Sequence, residues 1–154
     1  MESKGEIEIA KEELRKAGYS EGVIENWLNP KNLKEMDKNE CNGDSGWYTG
    51  PCGDSIRIFL RVTDGVIRDA SFLSDICIGT VACGNMLTEM IKGLKVEEAL
   101  KIQPEDVINK LGGVPKESEH CAKLAVITLK KAIADYEKYR QAPWKRAYEQ
   151  NKSV

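Results

Sequence analysis

The sequence holds a single histidine, no Cys-x-x-Cys pair and no apolar run near the ~18 residues a membrane span requires. One histidine excludes a histidine-rich metal site. The missing Cys-x-x-Cys pair removes the zinc-ribbon and thioredoxin patterns. The longest apolar candidate, 76–91, is broken by Gly, Thr, Asn and Glu, so no membrane association is expected. Neither charge sign is in excess: 23 Lys and Arg against 25 Asp and Glu leave −2. Without a basic surplus, general nucleic-acid binding is not expected. Internal repeats, low-complexity tracts and domain-dividing linkers are also missing. The first sixteen residues are charged throughout and lack the apolar core of a signal peptide. The expectation is therefore one cytoplasmic domain, in a compartment that keeps thiols reduced.

What is present is a chain of 154 residues, 41% hydrophobic and 31% charged, with five cysteines. That composition suits a globular core rather than disorder. An odd number of cysteines fits a closed disulfide framework badly. In a reducing compartment, cysteines point instead to metal binding or catalysis.

Residues 6–17 read as a charged helix with a thin stripe of Ile7, Ala10 and Leu14, stopped at Gly18. Ser20 caps a second helix carrying Val23, Ile24, Trp27 and Leu28, which Asn29-Pro30 ends. Residues 31–45 read as a polar loop. Ile56, Ile58, Leu60 and Val62 then alternate with Arg57, Phe59, Arg61 and Thr63, the period of a half-buried strand. Asp64-Gly65 is a hairpin signal, 66–72 the returning strand, and 46–49 a candidate third strand. After Cys77 the period becomes helical, from near Thr80 to Gly93. Short helices follow at 96–100 and 104–111. A long one carries Ala122, Ala125, Val126, Leu129, Ala132, Ile133 and Tyr136 on one stripe, with Pro143 marking its end. The pattern predicts an α+β fold: a small antiparallel three-stranded sheet with helices on one face. Residues 1–18 form an added helix, either a surface feature or a contact in a homo-oligomer. Residues 19–140 form the domain, and 141–154 a polar tail expected to be a disordered end, with packing of Trp144 and Tyr148 on a partner as the alternative.

Cys52, Cys77 and Cys121 each fall at a boundary between elements, the usual place for chemistry on a rigid scaffold. Cys52 precedes the alternating strand, Cys77 joins the returning strand to a helix, and Cys121 opens the long helix after His120. A helix N-terminus favours a thiolate, and thiolates suit zinc and iron–sulfur centres. The spacing itself, 25 and then 44 residues, does not bring the three together. Convergence has to come from the fold.

The surroundings of these cysteines resemble the NifU/IscU family of iron–sulfur cluster scaffold proteins over about 19–139. Five stretches carry the resemblance: Tyr19-Ser20-Glu21 through Asn29-Pro30-Lys31-Asn32; Gly50-Pro51-Cys52-Gly53-Asp54; Asp64-Gly65-Val66-Ile67 with Asp69-Ala70 and Phe72; Met86 to Gly93; and His120-Cys121-Ala122-Lys123-Leu124-Ala125. The resemblance implies that Cys52, Cys77 and Cys121 hold a nascent [2Fe–2S] cluster. It makes His120 a fourth-ligand candidate, has Asp54 keep the cluster exchangeable, and has Cys121 accept persulfide sulfur from a cysteine desulfurase. The cluster would then pass to acceptor apo-proteins, the work of a carrier rather than a turnover enzyme.

The chain departs from the family pattern in three places. Ile76 and Ile78 replace the glycines that flank the second cysteine. Cys83 stands where many members have Ser, either packing under the site or serving as an extra ligand. Val114 to Ser118 departs from the Leu-Pro-Pro-Val-Lys chaperone motif, which argues against a dedicated Hsp70-type chaperone. Cys41, in a polar loop, reads as an exposed thiol. Two other readings remain open here. One is a zinc-holding persulfide acceptor using Cys52, Asp54, Cys77 and Cys121. The other is a thiol redox enzyme using Cys77 and Cys83.

Overall fold

The computed structural model describes residues 4–145 and 148. Six helices and four strands follow in the order α1 (Lys4–Lys16), α2 (Glu21–Leu28), β1 (Gly43–Asp44), β2 (Tyr48–Thr49), β3 (Ser55–Thr63), β4 (Val66–Ser74), α3 (Ile78–Ile91), α4 (Val96–Ala99), α5 (Pro104–Lys110) and α6 (Glu119–Tyr139). The architecture is α+β, as the sequence predicts.

The long hairpin is the frame. Apolar side chains at alternate positions of β3 all reach one face, because successive strand residues point oppositely. Ile56, Ile58 and Leu60 are fully buried there. The turn takes Asp64 at φ 55° and Gly65 at φ 75°, the two positive angles of a type I′ hairpin. β3 and β4 pair antiparallel from Thr63↔Val66 to Ile56↔Ser74, with a register shift at Arg61/Val62.

The sheet differs from the expected three strands in its outer edge. That edge consists of two short pieces, β1 opposite Phe59 and Leu60, and β2 opposite Ser55 and Ile56. Between them the Gly46 N–H turns back to Asp44 Oδ1 at 2.8 Å, which interrupts the strand. β1 lies inside the stretch that the sequence suggests is loop, because Gly and Asp carry no strand signal of their own.

Helices α3 and α6 pack on the inner face of the hairpin, against β4 and β3 respectively. α6 buries Ala122, Ala125, Leu129, Ala132 and Ile133, the stripe expected of an amphipathic helix. It begins two residues before Cys121 and ends at Tyr139, short of Pro143. α3 begins at Ile78, not near Thr80, and Cys77 is its N-cap residue. α1 buries no residue completely and is held to α2 by Arg15–Glu21 and Lys11–Glu25 pairs.

The Asn29–Asn32 turn is fastened to α3 by a buried polar network. The Asn32 N–H donates to Asn85 Oδ1 at 2.9 Å, and its side-chain amide donates to Thr88 Oγ1 at 3.1 Å and Glu89 Oε2 at 3.0 Å. Lys92 Nζ donates to Asn32 Oδ1 at 2.7 Å. The same turn pairs with the outer edge of β4 through Phe72. Among the described residues no helix is long and apolar enough to cross a membrane. Of the tail, 146–147 and 149–154 lie outside the described residues. Trp144 and Tyr148 are exposed.

Candidate metal centre

The hairpin register determines where the second cysteine falls. β3 and β4 positions pair so that their numbers sum to 130 near this end, which sets Asp54 beside the segment that leads into Cys77. Two bonds seal the junction: the Ser55 N–H donates to Asp75 Oδ2 at 2.9 Å and the Asp75 N–H to Ser55 O at 3.1 Å. Cys77 then caps α3, its carbonyl accepting from the Val81 N–H at 2.9 Å. α6 brings Cys121 down on the same point. One ligand atom each from Asp54, Cys77 and Cys121 lies within 4.8 Å of the others.

His120 closes one side. Its Nε2 is 3.3 Å from Asp54 Oδ2 and 3.6 Å from Cys121 Sγ. The Thr80 hydroxyl donates to Cys121 Sγ at 3.6 Å. Gly79 lies against the same sulfur: a Cβ at that position would stand 2.8 Å from Cys121 Sγ, closer than real contacts allow. Gly79 and Thr80 therefore shape the seat of Cys121. Sequence reasoning missed both. The available signal was a pair of small residues two and three positions after Cys77.

The structure does not bring Cys52 into the cluster. Cys52 is exposed at the tip of a turn closed by Gly53 N–H to Gly50 O at 3.0 Å and Gly50 N–H to Asp54 O at 2.9 Å. It stands two positions before Asp54, a reach of about 7 Å. Ile76, next to Cys77, is 87% exposed, an apolar side chain at the mouth of the site.

Cys121 is buried, and burial reverses the expected effect of its helix position. Loss of solvent pushes its thiol pKa up to about 11, and the charges of Cys77 and Asp54 add to this. The Thr80 hydrogen bond acts the other way and does not offset it. The helix N-terminus that favours a thiolate is outweighed because the sulfur is sealed between α3 and α6. Cys83 is completely buried. Its pKa is also raised, first by burial and then by Cys121 and Cys77.

Cys41 is remote from the site. It is half-buried rather than exposed as its polar loop suggests, because its Sγ turns in to 3.3 Å from the Gly43 carbonyl. Its neighbour Asn42 pairs with Leu60, six residues along β3 from Asp54, or about 20 Å. A surface cavity of about 950 Å³ opens there, lined by Cys41, Arg57, Phe59 and Tyr136 among others. It contains none of Asp54, Cys77, His120 and Cys121.

Two thiols and a carboxylate fit iron. The soft sulfurs would hold it, and the harder oxygen would exchange more readily. His120 Nε2, 3.6 Å from Cys121 Sγ and 3.3 Å from Asp54 Oδ2, is the further donor beside them.

The family model for NifU-like N-terminal domains matches residues 18–143. An iron–sulfur cluster assembly scaffold protein IscU of Escherichia coli K12 is 38% identical over 126 residues, covering 80% of this chain and 98% of that one. IscU 1 of Archaeoglobus fulgidus is 39% identical over 118 residues, 77% of this chain and 76% of that one. The nitrogen fixation protein NifU of Azotobacter chroococcum is 40% identical over 121 residues, but these are only 38% of its length. Among solved structures, a protein described as an iron–sulfur cluster assembly scaffold for the SUF system of Fervidobacterium islandicum superposes with TM-score 0.61. It covers 75% of this chain and 96% of its own, at 20% identity. The N-terminal part of a NifU-like protein from Brucella abortus gives 0.59 at 15% identity, covering 77% of this chain and 93% of its own. These two share the fold. With three site residues converging at one end of that fold and a family match across most of its length, the chain belongs to the NifU-like N-terminal domain family.

Proposed function

We propose that this protein is a scaffold on which iron and sulfur are assembled into a cluster that is then handed on. The observation that carries the reading is the convergence of Asp54, Cys77 and Cys121 within 4.8 Å, in a chain 38% identical to a named scaffold over nearly that protein's whole length. The cluster is cargo. Cys77 and Cys121 hold it from the two helix N-termini, Cys52 swings in from its turn, and Asp54 is the exchangeable ligand that lets it leave. A [2Fe–2S] cluster suits a site with this few donors. The sulfur comes from a cysteine desulfurase as persulfide, by thiol exchange onto Cys121, and the products are loaded acceptor proteins. The protein binds and transfers rather than turning over a substrate.

Anaerobic reconstitution with iron and sulfide, followed by visible absorption and sulfide analysis, tests this. A cluster in wild type that is lost in Cys77→Ala and Cys121→Ala is expected. No cluster in wild type, or an undiminished one in those variants, overturns it. The same residues with Cys52 also make a tetrahedral zinc set. Metal analysis of protein isolated without added iron distinguishes a zinc-holding sulfur acceptor, which binds zinc stoichiometrically and builds no cluster.

A further inference from the structure

The scaffold reading leaves one nucleophile unused. Cys83 lies on α3, four residues after Gly79 and three after Thr80. Residues at those spacings are neighbours on one helix face, about 5–6 Å apart between Cβ atoms. Both of those neighbours touch the Cys121 sulfur, Gly79 by the 2.8 Å approach to its Cβ position and Thr80 by a 3.6 Å hydrogen bond. A helical side chain also leans toward its helix N-terminus, over the preceding turn. The Cys83 thiol therefore leans toward the turn of α3 on which Cys121 rests, and Gly79 places no side chain between them. Cys83 is coupled electrostatically to both thiols of the site, Cys121 and Cys77.

The chemistry of the scaffold reading has a gap at this point. Sulfur delivered as a persulfide must gain two electrons to become the sulfide of a cluster. We propose that Cys83 resolves a persulfide on Cys121, forming a Cys83–Cys121 disulfide and releasing hydrosulfide beside Cys77 and Asp54. The bond between Cys121 Sγ and the terminal sulfur breaks, and a bond from Cys83 Sγ to Cys121 Sγ forms. The terminal sulfur leaves as HS⁻ with the proton that the Cys83 thiol gives up. Counted from the two free thiols, Cys83 and Cys121 together lose two electrons and the delivered sulfur gains them. A dithiol reductant restores both thiols for the next round. Buried thiols are ordinarily inert, but two confined to the same α3–α6 seam react at a high effective concentration once they meet. Using Cys83 spares Cys77, which stays free with Asp54 to hold iron while the sulfide is released.

This inference rests on the scaffold reading, and the experiment separates the two. The full chain is treated anaerobically with glutathione persulfide, cleared of excess donor, and left without other reductant. Free sulfide is measured and disulfides are mapped by mass spectrometry. Wild type should release the Cys121-bound sulfur as sulfide and acquire a Cys83–Cys121 disulfide. Cys83→Ser should keep the persulfide, with release roughly tenfold slower or more. Equal release from Cys83→Ser, a Cys77–Cys121 disulfide in wild type, a persulfide resting on Cys83, or no persulfide on Cys121 of Cys83→Ser overturns the inference. Reconstitution of both proteins from iron and inorganic sulfide bypasses the step. A cluster in both shows that Cys83→Ser is folded and leaves the scaffold reading standing whatever becomes of Cys83. No cluster in wild type removes the scaffold reading itself.

Discussion

Cys121 and Gly79 fit each other closely: the sulfur stands 2.8 Å from the point a Cβ on residue 79 would occupy. Gly79→Ala puts a methyl into that space, and neither α3 nor the buried sulfur can move freely. The expected result is a loss of about 1–3 kcal/mol of stability and reduced iron binding. Denaturant melts and iron titration of the same preparation measure both. Unchanged iron binding would show that the seat of Cys121 is more pliable than its geometry implies.

The five thiols differ widely in access. Cys52 is exposed, Cys41 and Cys77 are half-buried, and Cys83 and Cys121 are buried. Timed alkylation of the metal-free protein, read peptide by peptide, should modify Cys52 first and Cys83 last. Early modification of Cys121 would contradict its burial.

Burial of Cys121 and Cys83 also makes stability fall in alkali. A thiol whose pKa is higher in the fold than in the unfolded chain supports the fold only while it is protonated. For Cys121 that support is complete below the ordinary thiol value of 9.0 and is lost as pH rises toward about 11. Cys83 shifts in the same direction. Denaturation midpoints of the metal-free protein should drop between pH 8 and pH 11. The drop should be smaller in Cys83→Ala, which has one fewer buried thiol to ionise. An equal drop in both would assign the effect to other groups.

Asp54 joins the site through an oxygen and is held by His120 at 3.3 Å. Replacing it by Ala removes the hardest, most exchangeable ligand. A reconstituted Asp54→Ala cluster should survive longer than wild type in the presence of a chelator, followed by the decay of its visible absorption. An equal or shorter lifetime counts against the labilising role.

Asn32 ties the second turn of the chain to α3 by four hydrogen bonds. Three of them run through its side chain. Asn32→Ala removes the three side-chain bonds to Thr88, Glu89 and Lys92, each worth about 0.5–1.5 kcal/mol. A lowered thermal midpoint with iron binding preserved is expected, since the network lies on the far side of α3 from Cys121.

Much of the frame was legible in the sequence. The strict alternation at 56–63 and the Asp64-Gly65 turn specify a hairpin, because strand side chains repeat every two residues. The repeat along 122–136 specifies α6 for the corresponding helical reason. The broken edge strand was not legible, since Gly43 and Asp44 pair only because β3 offers a free edge. The placement of Cys77 as the cap of α3 was missed by two residues, because Ile78 and Gly79 are poor helix-start signals.

The sequence by itself determined that three cysteines stand at element boundaries, in the order and company that mark this family. It could not determine their environments, which depend on what packs above each one. Tertiary structure decided that Cys121 is sealed rather than activated, because α3 and α6 meet over its sulfur and desolvation outweighs the helix N-terminus. It left Cys52 outside the preformed cluster, because its turn projects from the end of β3. It also buried Cys83 one helical turn after Gly79 and Thr80, the two residues of α3 that touch the Cys121 sulfur. Exposure and proximity arise from contacts between residues far apart in the chain, and local spacing does not encode them.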